Sequence, residues 1–162
     1  EPPVPVTLVN AAGVNINDYL LALRQVPEPV LAAFNAAGWT YRIDFDYMGG
    51  LSKKLNMSCI GATNYSQKTI YLSEASATLH EFGHFLDWML GFPAEYEQLF
   101  RAEASAAPLR NYAKTDSREY FADCFAYWVK YAENANAISL LQECAPMTYR
   151  YMEDLMRIAN RL

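Results

Sequence analysis

Apolar and polar residues follow two rhythms along this chain. Short alternating stretches fall mostly before residue 74, and helical spacing takes over after it. Val6-Thr7-Leu8-Val9 reads as a strand closed by Asn10 and Gly13. Tyr19, Leu20, Leu21 and Leu23 predict a helix from Asn17 to Val26. A second helix is expected from Pro29 to Ala37, with proline near its start and Gly38 at its end. Thr40 to Asp46 alternates Tyr41, Ile43 and Phe45 against Arg42, Asp44 and Asp46, the signature of a half-exposed strand. Gly49 to Tyr65 reads as irregular, and Lys68 to Leu72 as another strand. A helix is then expected from about Glu74 to Leu90, stopped by Gly91. Pro93 opens the next, which carries Tyr96, Leu99 and Phe100. Asn111 to Thr115 is a loop. An apolar helix follows from Ser117 to Tyr131, and a last one from Met147 to Leu162. Strands first and helices later predict an α+β fold: a small N-terminal sheet packed on helices.

Composition narrows the class. At 162 residues, 52% hydrophobic and 19% charged, the chain reads as one globular domain over residues 6–162, preceded by a Pro-rich leader at residues 1–5. A start at Glu1 rather than Met reads as a trimmed or mature form. The net charge of −5 argues against nucleic acid or an anionic membrane as partner. No apolar run approaches the length of a membrane span. Cys59, Cys124 and Cys144 are three, with no C-x-x-C spacing, and read as thiols rather than a disulfide scaffold.

The chemistry concentrates on the helix after the last strand. Its two histidines, the whole imidazole supply, stand in His80-Glu81-Phe82-Gly83-His84, an H-E-x-x-H pattern. Positions i and i+4 share a helix face, so both rings can reach one zinc ion, with Glu81 placed to act as general base on a water. A catalytic zinc takes a third protein ligand. The metzincin pattern is excluded, because Asp87 and Leu90 stand where its Gly and third ligand would be. Downstream candidates are Glu95, Glu97, Glu103, Glu119 and Asp123. Glu119 is favoured, since its apolar helix makes an unpaired carboxylate costly. Asp123, one turn further, and Asp87, one turn after His84, can orient a ligating histidine. Other readings compete: Asp116 and Glu119 as a capping box, Asp87 and Asp123 as plain ion-pair residues, and an aspartate ligand at Asp116 or Asp123.

His80-Glu81-Phe82-Gly83-His84-Phe85-Leu86-Asp87, with Tyr112 seven residues before Glu119-Tyr120-Phe121-Ala122-Asp123-Cys124-Phe125, resembles the anthrax-lethal-factor-like zinc metallopeptidases, which include the secreted Pro-Pro endopeptidases of Gram-positive bacteria. Cys144-Ala145-Pro146-Met147-Thr148-Tyr149 is similar to a C-P-x-T-Y stretch of the Pro-Pro enzymes. The resemblance covers roughly residues 68 to 155. It implies a zincin-like fold and an endopeptidase that cuts a peptide or protein substrate. One zinc per chain would be held by His80, His84 and Glu119, with Glu81 as general base and Tyr112 as oxyanion donor. It also implies a secreted, bacterial protein; a monomer is expected. Asp123 stands where the family usually has Glu, and Tyr120 where it has Phe. The Gly49–Tyr65 stretch is shorter than its counterpart in the Pro-Pro enzymes and holds no Trp, so Pro-Pro specificity is not implied. The strand bearing Thr69, Ile70 and Tyr71 is expected to be a cleft edge that pairs with extended substrate. The alternative is a degenerate zincin that binds peptide or protein without cutting it.

Overall fold

The computed structural model describes residues 4–159. Most of the expected leader, and the last three residues of the expected final helix, lie outside the described residues. The chain divides into two compact units, one through Phe82 and one from Gly83. The division falls within a single continuous helix, α4 (Thr78–Met89).

The first unit holds β1 (Leu8–Asn10), α1 (Asn17–Gln25), α2 (Glu28–Ala36), β2 (Thr40–Ile43), α3 (Phe45–Leu55), β3 (Gly61–Asn64) and β4 (Thr69–Leu72). The sheet order is β1-β2-β4-β3, with β1, β2 and β4 parallel and β3 antiparallel to β4. The strand carrying Thr69, Ile70 and Tyr71 is therefore not an edge, which corrects the expectation from sequence. Its backbone is paired on both sides, and all four of its residues are buried, as a central strand requires. Segment 49–65, expected to be irregular, supplies the strand that covers it. Asn64 shapes the β3–β4 turn by accepting hydrogen bonds from the Gln67 N–H (3.0 Å) and the Ser66 hydroxyl (2.9 Å).

Two departures at α3 share one cause. The expected strand Thr40–Asp46 stops at Ile43 because Asp44 caps the helix, accepting from the Tyr47 N–H at 2.9 Å. Gly49 and Gly50 then lie inside α3, each costing about 1 kcal/mol relative to Ala. Packing outweighs them. Met48 is buried, and the Tyr47 ring stacks on Tyr71 with centroids 3.5 Å apart. The core of this unit gathers Leu23, Phe34, Tyr41, Ile43, Ile70 and Phe82, with Phe34 and Phe82 centroids 4.8 Å apart.

The second unit contains the rest of α4, then α5 (Ala94–Glu103), a 3-10 turn at Asn111–Lys114, α6 (Ser117–Lys130), α7 (Ala135–Cys144) and α8 (Pro146–Ala159). Tyr96 lies at the aromatic centre, edge-on to Phe121 and Tyr151. Glu103 is buried at the end of α5 and caps α8. Its carboxylate accepts from the Met147 N–H (3.0 Å), the Thr148 N–H (2.7 Å) and the Thr148 hydroxyl (2.7 Å). Tyr120 and Thr148 hydroxyls meet at 2.9 Å. The Pro146-Met147-Thr148 stretch is thus a helix start tied to a buried carboxylate. The helix α7 is absent from the sequence expectation. It is opened by Asn134, which accepts from the Ala137 N–H at 3.1 Å. All three cysteines are free thiols, Cys124 buried and the other two half-buried.

Candidate active site

The site grows from α4. The hydroxyl of Thr78, its first residue, lies 2.7 Å from the buried Tyr41 hydroxyl, which ties the helix start to β2. One turn in, His80 and His84 fall on one face, as the i,i+4 spacing dictates.

Gly83 sets how closely α6 can approach that face. A Cβ placed on Gly83 would stand 2.6 Å from Ala122 Cα and 2.8 Å from its carbonyl oxygen, so the α6 backbone rests where a side chain would be. One turn before Ala122, Glu119 then reaches α4: its Oε1 lies 2.7 Å from His84 Nε2. Ligand atoms of His80, His84 and Glu119 all lie within 4.8 Å of one another. Two neutral imidazoles and a carboxylate are the donor set of a catalytic zinc site, whose ligand atoms stand about 3.3 Å apart in a tetrahedral arrangement. The residues present therefore fit a zinc ion.

Asp116 is the N-cap of α6, accepting from the Glu119 N–H at 2.8 Å. The capping reading is right for Asp116, while the Glu119 carboxylate points at histidine. Glu81 is 4% exposed. Its Oε1 accepts a 2.8 Å hydrogen bond from the Thr63 hydroxyl of β3. Sequence reasoning missed Thr63, because its segment shows no clean alternation.

Asp123 accepts both the Arg110 Nε–H (2.7 Å) and an Nη2–H (3.1 Å), a bidentate ion pair. This pair holds the Arg110 guanidinium above its usual range and ties α6 to the turn that carries Tyr112. Arg110 belongs to no motif in the sequence, where a cation two residues before Tyr112 is its one signal. Tyr112 is 40% exposed, and the guanidinium of Arg110 lies 5.1 Å from its ring centre. Asp87 is buried, and burial pushes its carboxyl up to about 6 against the opposing pull of His84 and Arg118. With Phe92, Tyr96 and Arg118 it lines a cavity of the second unit, where Arg118 sits 3.9 Å over the Phe92 ring. No helix among the described residues is long and apolar enough to cross a membrane.

A small mixed sheet followed by a helix bearing H-E-x-x-H, with a glutamate presented by a later helix, defines an α+β domain of zincin-like architecture. The fold matches the solved structure of the Pro-Pro endopeptidase PPEP-2 from Paenibacillus alvei, with a TM-score of 0.70 and 19% identity, over 91% of this chain and 96% of that one. The family model of the anthrax toxin lethal factor, N- and C-terminal domain, matches residues 40–155, and the chain belongs to that family. A Pro-Pro endopeptidase of Clostridioides difficile (strain 630) is 30% identical over 83 residues, 49% of this chain and 36% of that protein. The aligned stretch thus spans about a third of that relative.

Proposed function

We propose that this chain is a zinc-dependent endopeptidase that hydrolyses internal peptide bonds, with one zinc held by His80, His84 and Glu119. The observation that carries the reading is the cluster of these three donors, His80 and His84 from α4 and Glu119 from α6, with the nearly buried Glu81 carboxylate on the residue after His80. Bound zinc would supply Lewis acidity, lowering the pKa of a water and polarising the scissile carbonyl. Glu81 takes the proton of the attacking water and passes it to the leaving amine. The Tyr112 hydroxyl, on its exposed turn, donates to the developing oxyanion. Asp123 acts through Arg110 to hold that turn, and Asp87 lends negative charge beside His84.

An extended substrate pairs with the outer edge of β3, which among the described residues has a strand partner on one side only. Secretion goes with the reading, as in the family it resembles, and a monomeric state is expected with it. The name of the relatives makes Pro-Pro bonds the first to try, although the short, Trp-free segment 49–65 argues for a different preference.

The test is digestion of a diverse peptide library that includes Pro-Pro sequences, read by mass spectrometry, with wild type beside Glu81→Gln. Cuts made only by wild type, with equal zinc in both proteins, are expected. The loss in rate should be about 10²- to 10⁴-fold. Zinc at one per chain with no cleavage of any peptide would replace this reading with a zincin that binds without cutting.

A further inference from the structure

We propose that Thr63 and Gly61, on one face of β3, are positioning residues that fix the two carboxylate oxygens of Glu81 in different roles. The inference rests on the reading of Glu81 as general base.

Residues two apart on a strand point the same way. Gly61 and Thr63 are such a pair on β3, and both meet Glu81. The Thr63 hydroxyl lies 2.8 Å from Glu81 Oε1 and 3.3 Å from the Glu81 backbone oxygen. It carries one proton, and the shorter, charge-assisted bond to Oε1 takes it. Gly61 acts by having no side chain. A Cβ there would stand 2.8 Å from Glu81 Oε2 and 2.8 Å from Ala77 Cβ. Either contact forces a shift: the Glu81 carboxylate would have to swing away, and Ala77, in the short 3-10 turn before α4, has no flexible end to swing aside. The Cα of Gly61 therefore leaves the room in which Oε2 sits.

The outcome is a division of labour. Oε1 is held by the strand and Oε2 is left to take the proton of the attacking water. An unheld glutamate has three side-chain torsions and much rotational freedom to lose. A general base works only when its oxygen is already within reach and aligned. The same short segment thus provides the outer strand of the sheet and the brace for the base.

The experiment compares wild type, Thr63→Val, Thr63→Ser and Gly61→Ala, each loaded with zinc and checked for metal content. Thr63→Val keeps the shape and loses the donor. With the best-cleaved library peptide, its kcat should fall about 10- to 100-fold at unchanged KM and unchanged zinc, and Thr63→Ser should recover most of the loss. Unchanged kcat in Thr63→Val would overturn the proposal, as would an equal loss in Thr63→Ser.

A second readout does not need turnover. Crystal structures of the zinc-loaded proteins should show the Glu81 carboxylate in one rotamer in wild type and Thr63→Ser. It should be rotated or split in Thr63→Val, and displaced in Gly61→Ala. An unmoved carboxylate in both of the latter would overturn the proposal even if no peptide is cut, so failure of the brace and failure of the peptidase reading are told apart. If Thr63→Val does not fold, Thr63→Ala carries the same comparison.

Discussion

At the scale of single residues, the chain's chemistry was legible wherever identity and spacing suffice. Two histidines at i,i+4 with a glutamate beside the first can be read from sequence alone, because helix geometry fixes the face they share. The pairing of Glu119 with His84 was legible only as a cost argument about a carboxylate in an apolar helix, and the 2.7 Å contact now gives that carboxylate its partner. Thr63, Gly61 and Arg110 were not legible, since each matters through a neighbour distant in sequence. Tyr112 belongs to this scale too. It is half out in solvent on a short turn, where burial gives it little reason to be tyrosine. Replacing it with Phe keeps the ring over Arg110 and removes only the hydroxyl. Steady-state kinetics of Tyr112→Phe should show kcat lowered by about 10²- to 10³-fold with little change in KM, the mark of a donor engaged in the transition state. An unchanged kcat would remove Tyr112 from the chemistry.

At the scale of elements, what sequence resolved poorly was whatever tertiary contact decides. The helix α3 contains two adjacent glycines and would be rejected on propensity; Asp44 and the Tyr47–Tyr71 stack establish it. The strand β3 has no alternation because none of its residues is fully buried. Missing it made β4 look like an edge. The helix α7 buries only Leu141, so its stripe is too thin to register.

Close approach of α4 and α6 is likewise invisible in sequence except as a glycine, and it yields a prediction whose sign is opposite to propensity. On a free helix, Gly→Ala would stabilise by about 1 kcal/mol. At position 83 the new methyl would meet the Ala122 backbone at 2.6 Å, and backbone cannot swing aside. Gly83→Ala should therefore destabilise by about 1–3 kcal/mol in urea unfolding. By moving Glu119 away from His84 it should also weaken zinc binding about 10-fold or more in a competition titration. A more stable variant with unchanged affinity would mean that the helices part without cost and that Gly83 does not set the site.

At the scale of the whole molecule, the order of strands before helices was enough for the α+β class, and the fold agrees with it. That order says nothing of how firmly the structure stands without metal, but the donor set does. His84 is buried and Glu119 is half-buried, so in the absence of an ion a carboxylate and an imidazole face each other with little water to share them. On the proposed reading zinc binds the folded arrangement and has no comparable site in the unfolded chain, so it should stabilise by mass action. With free zinc at 100 times its dissociation constant the gain is about 2.7 kcal/mol. For a chain of this size that corresponds to about 5–10 °C in melting temperature. Calorimetry with and without a chelator should show that difference in wild type, and readdition of zinc should restore it. Glu119→Ala, having lost a ligand, should melt at nearly the same temperature in both conditions. Glu81→Gln, which keeps all three donors, should respond as wild type does. A chelator shift that survives in Glu119→Ala would mean that the stabilising ion sits elsewhere, and the assignment of the third ligand would fall with it.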